Sequence, residues 1–166
     1  MTIMRHRLGT LILVIGIGVL AWSATVYLWK DPFTTVYTAY EQRKLERKLD
    51  QQFERWPSDP KPVRRGGAPK PPVDVRREVR QYRLTSDEGD AVARLRIPRL
   101  DLDAVVVNGT SSPDLRRGPG RHMETFMPGE GRLVYIAGHR TTFGAPFSDI
   151  DKLRRGDRIL LELPYA

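Results

Sequence analysis

The chain has no cysteine among its 166 residues, which excludes disulfides, thiolate metal sites and a cysteine nucleophile within them. Histidine is scarce: His6, His122 and His139 are the three present. No metal site is indicated, because no cluster of histidine and carboxylate has ligand spacing. Ser111, Ser112 and Ser148 are available, but none lies in a Gly-x-Ser-x-Gly elbow or beside a lysine motif. Acidic residues are outnumbered, 20 against 28 Lys and Arg, giving a net charge of +8. Such a charge fits nucleic acid or anionic envelope surfaces. There is no zinc-finger spacing, no recognisable helix-turn-helix and no aromatic-plus-basic sheet signature. Nucleic acid is therefore not expected as a partner, and envelope polyanions are the class retained.

One stretch lacks charge altogether. Leu8 to Trp29 is a run of 22 residues without a charged side chain. At a helical rise of about 1.5 Å per residue it spans roughly 33 Å, enough for a bilayer core of about 30 Å. Arg5 and Arg7 precede it, Lys30 closes it, and Trp22, Tyr27 and Trp29 gather toward its C-terminal end as an interfacial belt would. A cleaved signal peptide would have a shorter apolar region followed by a small-x-small site. Ala21-Trp-Ser23 lies inside the run, so residues 1–30 read as an uncleaved membrane anchor. Charge alone leaves the orientation open, since Arg43, Lys44, Arg47 and Lys48 lie on the far side.

Residues 31–56 read as a juxtamembrane helical stalk, with the helix expected over Thr38 to Trp56. Leu45, Leu49, Phe53 and Trp56 share one face at spacings of four, four and three. That stripe fits a plain stalk; a dimerising or membrane-surface helix is the sharper alternative. Residues 57–90 form a linker. Its first part, Pro57 to Pro72, holds six prolines with Lys61, Arg64, Arg65 and Lys70, and reads as an extended spacer.

From Ala91 the pattern changes. Arg94 to Asp103 alternates apolar and polar residues and is broken at Pro98. Ala104 to Val107 is β-rich and runs into the turn signal Asn108-Gly109. Leu133 to Ala137 reads as a buried strand, Ser148 to Asp157 as a short helix and Arg158 to Leu163 as another strand. Short strands, many turns and one short helix indicate a mainly β domain over residues 91–166, a barrel or sandwich.

Within that domain the segment Ile136-Ala-Gly-His-Arg-Thr-Thr-Phe-Gly-Ala-Pro-Phe147 resembles the histidine motif of sortases, membrane-anchored cysteine transpeptidases of Gram-positive bacteria. The likeness extends through Leu95-Arg-Ile-Pro98, Val107-Asn-Gly109, Leu115-Arg-Arg-Gly-Pro-Gly120, Thr125-Phe-Met-Pro-Gly129 and Asp149 to Asp157. It is most similar to the class E type of actinobacteria. The resemblance implies an eight-stranded barrel, of which about five strands fall within this chain. It implies a cytoplasmic N-terminus, a single membrane pass and an extracellular domain. It implies as partners the sorting-signal peptide of a surface protein, with an LPxTG-like or LAxTG-like motif, and a cell-wall amine. No cofactor is implied.

By its place in the motif, His139 carries the family's proton-shuttling role, for which imidazole is suited because it titrates near neutral pH. Arg140 is not the family's catalytic arginine, which comes from a later strand. Asp149 and Asp151 are expected to cap the short helix. His122 lies in a polar loop. The family's cysteine and arginine both lie C-terminal to the matched region, so the chain is expected to be a truncated form, inactive alone. A non-catalytic, membrane-tethered scaffold or binding protein built on a sortase remnant is the alternative.

Overall fold

The computed structural model describes residues 2–29, 32–55 and 75–165. The uncharged N-terminal run lies in a continuous helix, α1 (Thr2–Trp29). Its stretch Arg7–Thr25 is long and apolar enough to cross a membrane, and none of it is buried against the rest of the chain. Helix α2 (Pro32–Arg55) begins earlier than the sequence pattern predicts, because Pro32 is well placed at a helix start. Trp22 of α1 and Phe33 of α2 approach to 5.5 Å between ring centroids. The proline-rich part of the linker, and Trp56 with it, lies outside the described residues. Its last part is not a spacer: residues 75–85 form α3 (Val75–Thr85), whose Val79 and Tyr82 are core residues.

The sheet follows. Strand β1 (Ala91–Ile97) pairs antiparallel with β2 (Leu102–Asn108) through a 3-10 turn at Pro98–Leu100. Asp101, in the left-handed region at φ 51°, completes the reversal. A short helix α4 (Ser112–Arg117) carries the chain over to β3 (Gly120–Arg121), which runs parallel to β2. Strand β4 (Ile136–Ala137) pairs with β3, and β5 (Leu160–Glu162) returns to the far side of β1. The order is β4-β3-β2-β1-β5. Five strands are present among the described residues, where they form an open mixed sheet and not a closed barrel. Over the whole described chain the four α-helices hold more residues than the five strands, so "mainly β" fits only the part after Ala91.

Each face of the sheet has its own apolar layer. On one side Leu45 and Leu49 of α2 are fully buried against Ala91, Val105 and Val107, with Phe53 at the margin. The stripe on α2 therefore meets the sheet; it is neither a free stalk nor a dimer seam. On the other side Val79 and Tyr82 join Ala93, Leu95, Ile97, Val106, Met127, Leu163 and Tyr165. A bulge between Ala91 and Ala93 lets β1 serve both layers by resetting its alternation. The Tyr82 hydroxyl bonds Gln52 Oε1 at 2.6 Å and the Val92 carbonyl at 3.0 Å, tying α2, α3 and β1 together.

Gln42 does for β2 what a neighbouring strand would do. Strand β3 pairs only with Val107 and Asn108, leaving Val105 without a partner on that side. Gln42 Oε1 accepts the Val105 N–H at 2.7 Å, and Gln42 Nε2 donates to the carbonyls of Val105 at 3.1 Å and Arg117 at 2.8 Å. A Cβ at Gly118 would run into Gln42 Nε2, so glycine is needed there for close approach.

Three expectations from sequence change. Leu133–Ala137 is a regular strand only at its last two residues, and its apolar side chains are not buried: Leu133 is 72% and Tyr135 52% exposed. The segment lies at the sheet's edge, and nearby Gly129 and Gly131 adopt φ of 98° and 70°, which no ladder accommodates. Asn108-Gly109 is not a hairpin turn. Asn108 is fully buried, donating to the carbonyls of Ser86 and Asp87, while its Oδ1 accepts from Arg121 Nε at 2.9 Å and Nη2 at 2.6 Å. The expected helix after Ser148 is a single 3-10 turn, Ile150–Lys152, too short to need the caps assigned to it.

Candidate functional site

Strand β4 ends at Ala137, and the chain passes through Gly138 to His139 and a tight loop. Gly138 packs so closely on Phe147 that an added Cβ would lie 2.8 Å from its ring. The loop closes on itself: Phe147 N–H donates to the His139 carbonyl at 3.0 Å and Ala145 N–H to that of Thr142 at 2.8 Å. Three successive residues have positive φ, Phe143 at 50°, Gly144 at 71° and Ala145 at 43°. For the bulky Phe143 and for Ala145 this is a strained conformation that surrounding contacts must hold.

His139 is half-buried. Its Nδ1 lies 3.3 Å from Thr142 Oγ1, and its ring is 5.0 Å from that of Phe143. Arg116 lies over the other side of the neighbourhood, 5.7 Å from the Phe143 ring. Nδ1 is thus oriented by a hydroxyl, while Nε2 has no hydrogen-bond partner among the described residues. An imidazole held at one nitrogen and open at the other is set up to exchange a proton with an incoming group.

The other residues considered from sequence lie apart from that ring. Arg140 turns away and is exposed, pairing with Asp151 at 2.7 Å and with the Ser148 carbonyl at 3.4 Å. Asp149 stands at the N-cap position of the 3-10 turn without a side-chain cap bond and pairs with Lys152 at 2.9 Å. Both aspartates are thus ion-pair partners. His122 leaves β3 with its ring edge-on to Tyr135, centroids 6.1 Å apart, and its Nδ1 is buried without a hydrogen-bond partner among the described residues. No hydrogen bond or ring contact joins it to His139 among the described residues. No group of three or more metal-ligating side chains exists among the described residues.

A second polar feature was invisible in the sequence. Arg121, 2% exposed, anchors the turn after β3 through the Thr125 carbonyl at 2.6 Å and the Asn108 amide. Burial, and next the charge of Arg83, pull its guanidinium below its ordinary value. Arg83 in turn holds Glu130 at 2.9 Å. Burial works to raise the Glu130 carboxyl, but the Met127 N–H and Arg83 outweigh it and hold it below the ordinary 4.5. Arg80, Arg83, Phe126, Glu130 and Arg132 line a cleft of about 350 Å³, with Arg83 and Arg132 packed on the Phe126 ring at 5.2 and 4.7 Å. No signal in a single sequence pairs residues 83, 121 and 130, since each stands in a different segment.

Comparison with known proteins places this architecture. Residues 95–165 match the family model of the sortase domain. Sortase D of Bacillus subtilis is 32% identical over 80 residues, covering 48% of this chain and 39% of that protein. Sortase SrtE1 of Streptomyces coelicolor is 39% identical over 83 residues, covering 46% of this chain and 24% of that protein. The chain thus spans less than half the length of these curated relatives. A sortase D5 transpeptidase of Clostridium perfringens superposes with a TM-score of 0.55 at 22% identity, over 76% of this chain and 68% of that one, a likeness of fold. Residues 95–165 are thus similar in sequence to the sortase domain, and the described structure has a sortase-like fold.

Proposed function

We propose that this chain is the membrane-anchored, histidine-bearing part of a sortase-type cysteine transpeptidase, class E-like, acting outside the cell on the sorting signals of surface proteins. The observation that carries the reading is His139 at the end of β4, oriented at Nδ1 by Thr142 and open at Nε2. The 39% identity to Sortase SrtE1 supports the finer class. Helix α1 serves as the anchor, with the N-terminus on the cytoplasmic side and the sheet outside.

In this reading a thiolate attacks the carbonyl between threonine and glycine of an LPxTG-like or LAxTG-like motif. His139 gives its proton to the leaving amine and later takes one from the entering cell-wall amine, so imidazole returns to its starting state. The thiol must come from outside these residues, which contain no cysteine, and by the sortase resemblance the catalytic arginine is expected from a later strand as well. The 166 residues by themselves are therefore expected neither to cleave nor to ligate a sorting peptide.

The test is to join the chain to the cysteine- and arginine-bearing C-terminal strands of Sortase SrtE1 and follow cleavage of a sorting-motif peptide. Turnover by the joined protein that falls at least about a hundredfold in His139→Ala is the expected result. A joined protein that folds and turns over equally well without His139, or unjoined chain that turns over above a buffer blank, overturns the reading.

A further inference from the structure

We infer that α2, the helix that directly follows the anchor, sets the shape of the His139 loop, with Thr34 as the positioning residue. This rests on reading His139 as the functional histidine. The Phe143 N–H donates to Thr34 Oγ1 at 2.8 Å, a contact between residues 109 positions apart. One turn further along α2, the Thr38 methyl lies at van der Waals distance from the Cβ position of Gly144, 3.4 Å. Thr38 Oγ1 donates at 2.8 Å to the carbonyl of Arg116, whose guanidinium lies over the Phe143 ring. The same ring packs on His139.

These contacts converge on the one part of the loop that is strained. Phe143, Gly144 and Ala145 hold φ between 43° and 71°, and two of the three have side chains that disfavour it. Such a conformation persists only where its surroundings over-determine it. Within the loop, the Ala145 N–H to Thr142 bond and the wider Phe147 N–H to His139 bond span this stretch, and neither engages the Phe143 amide. From outside the loop, Thr34 accepts the Phe143 N–H, and Thr38 lies beside Gly144 and holds Arg116, which covers the Phe143 ring. The loop carrying His139 is thus held in shape by the first two turns of the helix that emerges from the anchor. That helix is itself fixed on the sheet further along, through Gln42, Leu45 and Leu49. Release of the first turns alone would free the loop without undocking the helix.

The experiment uses the isotope-labelled full chain in detergent micelles and reads two NMR observables: hydrogen exchange of the amide at position 143 and the imidazole signals of His139. Thr34→Val keeps the branched shape and removes the acceptor; Thr34→Ser keeps the acceptor. The expected result is at least about fivefold faster exchange at position 143 in Thr34→Val, as for loss of one hydrogen bond. Shifted His139 signals should accompany it, with Val105 still protected by Gln42, and Thr34→Ser should restore both. Unchanged exchange and imidazole signals in Thr34→Val, or failure of Thr34→Ser to restore them, overturns the inference.

If Thr34→Val also exposes Val105, Phe143→Gly decides. It tolerates the positive φ, keeps the N–H and removes the ring. His139 signals should move while the amide at 143 stays protected, and unmoved signals overturn the inference. None of these readouts depends on turnover. A loop indifferent to Thr34 in an enzyme that still needs His139 refutes the positioning alone. A loop held by Thr34 in an enzyme indifferent to His139 refutes the proton-transfer reading alone.

Discussion

Replacing Leu45 by alanine tests most directly whether α2 is part of the folded unit. Leu45 is fully buried, enclosed by Leu49, Ala91, Val105 and Val107. The substitution removes three carbons. At about 0.8 kcal/mol for each buried carbon the transfer loss is roughly 2–2.5 kcal/mol. The rigid sheet beneath cannot collapse into the gap, so a cavity contribution raises the total to about 3 kcal/mol, inside the usual range for leucine-to-alanine changes. Whole domains are stable by only about 5–15 kcal/mol. The assay is thermal unfolding of the detergent-solubilised chain followed by far-UV dichroism, with Val36→Ala as control. Val36 lies on the same helix and is 71% exposed. Leu45→Ala should lower the midpoint by more than about 10 °C, while Val36→Ala stays within about 0.5 kcal/mol of the parent. Equal small effects of the two would refute the docking of α2, and a detached stalk would then stand.

The same packing predicts that residues 91–166 made alone self-associate, because Ala91, Val105 and Val107 lose their cover; residues 32–166 should be distinctly more monomeric by size-exclusion chromatography. Acid should weaken the fold through Glu130. Its carboxyl sits below its ordinary 4.5, so its contribution is complete above that value and is lost as pH falls through the depressed one. Urea midpoints measured from pH 6 to pH 3 should therefore drop less in Glu130→Gln than in the parent, and parallel curves would exclude this role.

What was legible in the sequence follows from which signals are local. The 45/49/53 face, the uncharged run of α1 and the strands on either side of Pro98 are periodic or compositional, and they stand in the fold. The partner of the α2 stripe was not legible, since a period of 3.6 says that a face is apolar and not what covers it. Helix α3 was missed for a similar reason. Among its residues with described side chains, Val79 and Tyr82 alone are buried, too few to mark a face among so many arginines. Asn108-Gly109 misled because local turn propensity lost to a buried amide with a distant guanidinium partner. Leu133 to Tyr135 misled because apolarity marks burial only where something lies opposite, and here the sheet has an edge. Of the candidate site, His139 was marked by its motif, whereas its supports, Thr34 and Arg116, come from segments no short pattern connects to it.

The amide of Gln42 also has a consequence for timing. It meets Val105 across 63 residues, whereas β1 and β2 meet across one tight turn. Loop closure favours the near contact, so the hairpin forms before the helix settles on it. During that interval Val105 presents a bare N–H and carbonyl on a β-branched strand, the kind of edge on which chains from neighbouring molecules pair. If α1 anchors the chain with the sheet on the far side of the membrane, as proposed, α2 emerges beside the bilayer just ahead of the sheet and tethering keeps that helix close throughout. The anchor would then act as a chaperone in cis, shortening the interval by holding the missing cover at high local concentration.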